Sequence, residues 1–277
     1  MREQKYLSGW GSIAILLSPA LVIFSSLPLG LRAQPYPEWK VTVQFPVDNV
    51  GQPPSTGGGA TRGQCFKYQQ NQEDKIPLDR LLLPLNPLTN PPVNQILTVA
   101  ANPTVFVYVP ETTIRSTENL VFAEFSVYDD QGEDFYKTTF RLPTVVSSDV
   151  PTSSVFTPGI VKLTLPANVS LETGKTYHWE FKLNCPPDES GDASDNPFVD
   201  GWIQRTELSP DLKTKIEQAT PLEQAKLYAK ARIWSEALML AAQLRSSHPA
   251  EWEELLKSVG LNEIAQVPLL ECCTLEN

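Results

Sequence analysis

Histidine is nearly missing from this chain of 277 residues: His178 and His248 are the only two. Cysteine is held to four positions and methionine to two. These shortages remove several chemistries at once. A zinc site wants CxxC pairs or histidines at ligand spacing, and neither is present. There is no GxSxG nucleophile elbow. A Cys/His dyad on the strand that carries both His178 and Cys185 is excluded by parity, because an odd separation puts the two side chains on opposite faces. The glycine run GGGATRG at 57–63 lacks the Lys-Ser/Thr pair, the preceding strong strand and the following helix of a phosphate cradle. It reads as a flexible turn whose glycines adopt positive φ. No cofactor motif occurs. Basic residues are also in deficit, 22 against 32 acidic, for a net charge of −10. Such a chain is repelled by phosphate backbones and anionic membrane surfaces, so nucleic acid is excluded as a partner while cationic and neutral partners stay open.

What is present begins with an export signature. Arg2 and Lys5 precede an apolar run at 13–31, and Leu31-Arg32-Ala33 ends it with apolar and small residues suited to cleavage after Ala33. Residues 1–33 are therefore expected to be a signal peptide; uncleaved, that segment would be the only membrane attachment. Its removal takes away Arg2, Lys5, Arg32 and Glu3 and leaves the mature chain more acidic still. In an exported chain Cys65, Cys185, Cys272 and Cys273 read as structural and disulfide-capable. Four cysteines allow three pairings. Cys65 with Cys185 is the preferred one, leaving Cys272 and Cys273 as a vicinal disulfide or as thiols; alternatively each tail cysteine joins one of the other two.

Residues 34–63 form a Pro/Gly-rich arm with one short strand expected at 40–45. The β region, 64–208, is organised around TYHWEFKLNC at 176–185, where Tyr177, Trp179, Phe181, Leu183 and Cys185 alternate with His178, Glu180, Lys182 and Asn184. That period of two predicts a central antiparallel strand with one face in a core and one in water. PTVFVYVP at 103–110, LVFAEFSVYDD at 120–130, the run at 135–142, IVKLTLP at 160–166 and VDGWIQRTEL at 199–208 are further strands. DDQGED at 129–134 is the turn of a hairpin, and Gly201 marks an expected bulge. The acidic stretch with Asp188, Glu189, Asp192 and Asp195 matches no EF-hand and reads as a solvated loop.

At Ser209 the period becomes helical. Ser209-Pro210 and Thr220-Pro221 are helix starts, and helices are expected at 222–232, 234–245 and 251–259, the last stopped by Gly260. The segment at 227–249 resembles one tetratricopeptide unit through Tyr228, Ala231, Trp234, Ala237, Leu238 and Pro249. A single helical pair cannot bury its own apolar face, so it must pack on the strands or on a partner. The class is thus α+β: an antiparallel Ig-like β-sandwich, with a small barrel as its rival, followed by a C-terminal helical region at 209–277 packed on it.

The order of these pieces resembles an uncharacterised family found chiefly in exported cyanobacterial proteins, domain of unknown function 928. The resemblance runs through GGGATRGQC at 57–65, PTVFVYVP, FAEFSVYDD at 122–130, GIVKLTLP at 159–166, GKTYHWEFKLNC at 174–185, VDGWIQR at 199–205 and YAKARIWSEAL at 228–238. It implies export and a single architecture, and it lends no activity. The expected function is a non-enzymatic envelope module that binds a protein or a glycan, with Tyr228 and Trp234 as the first residues to test for contact. The alternative is a glycoside hydrolase built on a carboxylate pair, Glu124 and Glu180, each on the polar side of its own strand.

Overall fold

The strand around which the sequence was read occupies the middle of the largest sheet. A computed structural model describes residues 43–46, 78–88, 95–114, 121–143, 145–146, 154–184 and 196–270, all within the compact unit Val41–Asn277. The expected signal peptide, the glycine run, the acidic loop at 188–195 and all four cysteines lie outside the described residues.

In chain order the elements are β1 (Leu83–Pro84), β2 (Gln95–Thr98), β3 (Thr104–Val109), β4 (Thr112–Ile114), β5 (Val121–Tyr128), β6 (Asp134–Leu142), β7 (Val145–Val146), β8 (Ser154–Phe156) and β9 (Gly159–Thr164). They continue with β10 (Thr176–Asn184), β11 (Phe198–Arg205), α1 (Pro210–Gln218), α2 (Pro221–Lys230), α3 (Trp234–Leu244), α4 (Pro249–Ser258) and β12 (Leu269–Leu270). Five strands form one sheet in the order β2-β11-β10-β5-β6, and four form another, β1-β3-β9-β12. The third, β4-β8-β7, prolongs the second: Val109 faces Gly159 and Thr112 faces Phe156, so the register runs on without a slip. Pro110 and Pro158 lie in that gap, and neither has an N–H to give to a ladder. Pairing is antiparallel except for β2 on β11 and β12 on β9. The protein is therefore α+β, with mostly antiparallel sheets and four α-helices among the described residues.

Burial along β10 alternates at every residue, Tyr177, Trp179, Phe181 and Leu183 inward. Ala123, Phe125 and Val127 of β5 and Val199 and Ile203 of β11 share that inner side, and both larger sheets and the helices feed one contiguous core. The β5–β6 turn closes as its composition requires: Asp129 Oδ1 accepts from the N–H groups of Gln131 and Glu133 at 2.9 Å, and Gly132 takes φ +82°. At the start of β10 the Tyr177 hydroxyl accepts from the N–H of Glu172 at 3.1 Å.

Gly201 corrects an expectation. The β10–β11 register passes through it unbroken, Trp179 facing Gly201 with regular pairs on either side, so there is no bulge. The glycine serves close packing instead, because a Cβ there would stand 2.9 Å from Trp179 Cε2. The stretch expected as an arm also does more than link. Val43 is fully buried, Phe45 meets Trp234 edge to face at 4.9 Å between ring centres, and the Phe45 N–H donates to Ser258 Oγ. Residues 43–46 form no strand.

The helices start where their caps lie. Ser209 Oγ accepts from the Leu212 N–H, and Thr220 with Glu223 forms a complete capping box. Both α2 and α4 end in Schellman turns: Ile233 N–H to Tyr228 O with Arg232 N–H to Ala229 O, and Leu261 N–H to Leu256 O with Gly260 N–H to Lys257 O. Gly260 suits the left-handed position; Arg232 holds it at φ +62°. That tight turn delivers the start of α3 against the strands. Trp234 Nε1 donates to Leu85 O at 2.7 Å, Ser235 Oγ donates to Thr104 O, and Glu236 Oε1 accepts from Thr98 Oγ1 and from the N–H groups of Val99 and Ala100.

A strand from the C-terminal region completes the edge of the second sheet. Ile160 N–H donates to Pro268 O at 2.8 Å, and a Cβ on Gly159 would lie 2.5 Å from Leu270 Cγ. Gly159→Val is therefore expected to dislodge β12 at a cost of about 1 kcal/mol. Hydrogen exchange checks this: protection of the Ile160 amide should fall while that of β10 stays.

Candidate functional site

The polar side of the β10 alternation becomes a surface only through its neighbours. Register places three rows across the outer face of the five-stranded sheet. Tyr128, His178 and Trp202 form the first. Lys137, Ser126, Glu180 and Asp200 form the second; Thr139, Glu124, Lys182 and Phe198 form the third.

The first row is a ladder of rings. His178 lies 5.9 Å from Tyr128 and 4.6 Å from Trp202 between ring centres. The His178 and Trp202 ring planes are tilted 34° from one another. Trp202 is 40% exposed, the one large apolar side chain so exposed among the described residues. The His178 ring is anchored by Nε2 to Asp200 Oδ2 at 2.8 Å.

The other two rows carry three carboxylates, Glu180, Asp200 and Glu124, and two lysines, Lys137 and Lys182. Glu124 pairs with Lys137 Nζ at 2.8 Å and Asp200 with His178. Glu180, directly across from Asp200 on one side and Ser126 on the other, has no ion pair among the described residues. Burial pushes its carboxyl above the usual range; Lys182 and His178 pull it down, while Asp200 and Glu124 push it further up. The Ser126 hydroxyl is buried and lacks a hydrogen-bond partner.

The sign of the Glu180 shift yields a test. The folded-state value lies above the unfolded one, so the fold binds the proton more tightly and loses stability as pH rises from the unfolded value through the folded one. Glu180→Gln removes that loss. Thermal unfolding at neutral pH should show it more stable by about 0.5 kcal/mol, the scale of like-charge cross-strand pairs, or roughly 1–2 °C in a chain of this size. Below the unfolded carboxyl range the gain should vanish.

The two strand carboxylates read from sequence are brought together: Glu124 faces Lys182 and Ser126 faces Glu180, making Glu124 and Glu180 diagonal neighbours. Trp234 goes to the interior, 1% exposed, and offers no outward contact. Tyr228 is half-buried against the core, its hydroxyl pushed upward by burial and by the nearby charge of Glu236. Sequence reasoning passed over Trp202, Asp200, Tyr128 and Ser126. The available signal was parity: Trp202 stands out of phase with Val199, Gly201 and Ile203, and so had to face outward. Among the described residues no three His, Cys, Asp or Glu side chains converge as ligands for a metal, and no helix is long and apolar enough to cross a membrane.

The class these features define is an α+β protein whose largest sheet presents a mixed aromatic and charged outer face. The chain belongs to the family described as Domain of Unknown Function (DUF928), whose model matches residues 57–269. Comparison with curated proteins gave no match. Among solved structures, a glycosyl hydrolase family 2 member from Bacteroides cellulosilyticus is 15% identical over 37% of this chain and 13% of its own, with a TM-score of 0.17. Astrotactin-2, a vertebrate-specific perforin-like membrane protein, is 12% identical over 60% of this chain and 33% of its own, with a TM-score of 0.21. The chain thus spans a minor part of either, and likenesses this slight carry no argument about fold or activity.

Proposed function

We propose that the chain is an exported cyanobacterial envelope protein, periplasmic or extracellular, that works as a non-enzymatic binding module through the outer face of its five-stranded sheet. The observation that carries this reading is Trp202, an indole left open to solvent among the polar side chains of the outer face. Export rests on the basic, apolar and Leu-Arg-Ala succession before Gln34.

The scaffold is best described as an Ig-like sandwich. Its strand orders, β1-β3-β9 and β11-β10-β5-β6, correspond to A-B-E and G-F-C-C′. The Tyr177 hydroxyl bonded to the Glu172 backbone at the start of β10 corresponds to a tyrosine corner at the start of strand F. The α2–α3 hairpin is tetratricopeptide-like, with Trp234, Ser235 and Glu236 turned to the strands as a brace.

Production of the full chain with a C-terminal tag in its source organism tests the reading. Cleavage after Ala33, appearance in the periplasm or medium, and retention of a specific partner that Trp202→Ser releases are the expected results. An uncleaved cytoplasmic chain, or retention indifferent to Trp202→Ser, overturns it. The diagonal placement of Glu124 and Glu180 favours a second reading, a glycoside hydrolase acting on envelope or extracellular glycans. Commitment of Glu124 to Lys137 weighs against it. Release of reducing ends from envelope glycans, abolished by Glu180→Gln, would establish it.

A further inference from the structure

We infer that the outer face binds an arginine side chain presented by a partner protein, Glu180 and Asp200 accepting from the guanidinium while the side chain rests against the exposed indole of Trp202. This rests on the binding-module reading and specifies the chemistry of its partner.

The unmatched charge comes first. Glu124 is ion-paired to Lys137 and Asp200 is bonded to the His178 ring, but Glu180 at the centre has no such partner, although Lys182 and His178 stand two residues away on the same strand. A half-buried carboxylate without a counter-ion is costly, and a forked cation offsets that cost with charge-assisted hydrogen bonds. Directly across from Glu180, Ser126 is 1% exposed and its Oγ has no partner. Two unmatched polar groups thus stand side by side in this row, and guanidinium carries five N–H groups in a plane.

Next comes the ring. Trp202 and Asp200 are two residues apart on β11, about 7 Å along the strand. An arginine can span that distance with its planar head and methylene stem together, and Arg stacks on Trp faces where the ammonium of Lys acts only as a point charge. A neutral glycan could also lie against Trp202, but it would leave Glu180 uncompensated. The net charge of −10 draws a basic partner and repels an acidic one.

The test is calorimetric titration of the purified full chain with an acetylated, amidated peptide carrying three arginines separated by single glycines. Extended, it presents all three on one side. Controls are the same peptide with citrulline, which keeps the planar donors and loses the charge, and cellohexaose as a neutral glycan. The arginine peptide should bind at least tenfold more tightly than the citrulline peptide. Glu180→Gln and Trp202→Ala should each lower that affinity at least fivefold, Trp202→Tyr should restore part of it, and added salt should weaken it. Cooperative unfolding of each variant confirms that the fold is kept. Equal binding of arginine and citrulline peptides, affinity indifferent to both substitutions, or a Trp202-dependent response to cellohexaose alone overturns the inference. If no probe binds while Trp202→Ser still releases the partner in cells, the inference fails and the binding-module reading stands.

Discussion

Glu236→Ala should destabilise the fold by about 3 kcal/mol, because it strands three donors at once. Glu236 is 7% exposed, and its Oε1 accepts from Thr98 Oγ1 at 2.6 Å and from the N–H groups of Val99 and Ala100 at 2.9 Å. Those donors belong to the end of β2 and the chain leaving it; the acceptor belongs to the first turn of α3, where a negative charge also suits the helix dipole. The carboxylate therefore joins the helical region to the sheets as well as stabilising its own helix. In a chain of this size the loss amounts to about 6–12 °C in the unfolding midpoint. Glu236→Gln keeps the Oε1 acceptor, loses the charge and sets an amide group at the buried, partnerless Oε2 position, so its cost should be smaller, about 1–2 kcal/mol. Thr98→Val removes one donor and also the acceptor of the Ala100 N–H; combined with Glu236→Ala it should cost less than the sum of the two. Denaturant unfolding of the three variants and the pair measures this. Tyr228 reports it independently: Glu236→Gln removes a charge that holds the phenol up, so the phenol should titrate lower than in the parent while remaining raised by burial.

The features legible in the sequence were those whose cause is local. The alternation at 176–184 announced a central half-buried strand, Asp129 and Gly132 announced the hairpin turn, and Ser209, Thr220 and Gly260 announced helix ends. Each needs only neighbouring residues to act. The features that could not be read depend on distant partners. β2 and β12 are short and join their sheets in parallel with β11 and β9, so no adjacent turn marks them. Val43 and Phe45 are buried in a stretch rich in proline and glycine, and Phe45 meets helices far along the chain. Arg232 ends α2 in a conformation that usually selects glycine, leaving no compositional mark. The outer face is the same problem at the level of a site. Each strand showed its polar parity, but the rows joining Trp202, Glu180 and Ser126 exist only once β11, β10 and β5 are in register.

Gly201→Ala is where fold and site meet, and its effect should exceed what a single methyl suggests. Strand preference alone would make alanine neutral or better. The space is already taken: the new Cβ would stand 2.9 Å from Trp179 Cε2 and Cζ2 and 3.0 Å from Asn86 Nδ2. Trp179 is 1% exposed, and relief requires a shift of the indole or of β11 itself. Overpacking of this kind costs about 2–3 kcal/mol. Of the two clashing carbons Cζ2 lies in the part of the indole that phenylalanine lacks, while a phenyl ring still covers the region of Cε2, so Trp179→Phe, though destabilising alone through the space it empties, should offset part of the alanine's cost. The double variant is expected to be more stable than the sum of the singles by at least 1 kcal/mol, and equal additivity in a denaturant cycle would refute the steric explanation. Asp200 and Trp202 flank Gly201 on the opposite parity, so a displaced β11 also moves the ring and the carboxylate assigned to the arginine. Gly201→Ala should therefore weaken binding of the arginine peptide without altering any residue that touches it, and Trp179→Phe in the same chain should recover binding along with stability.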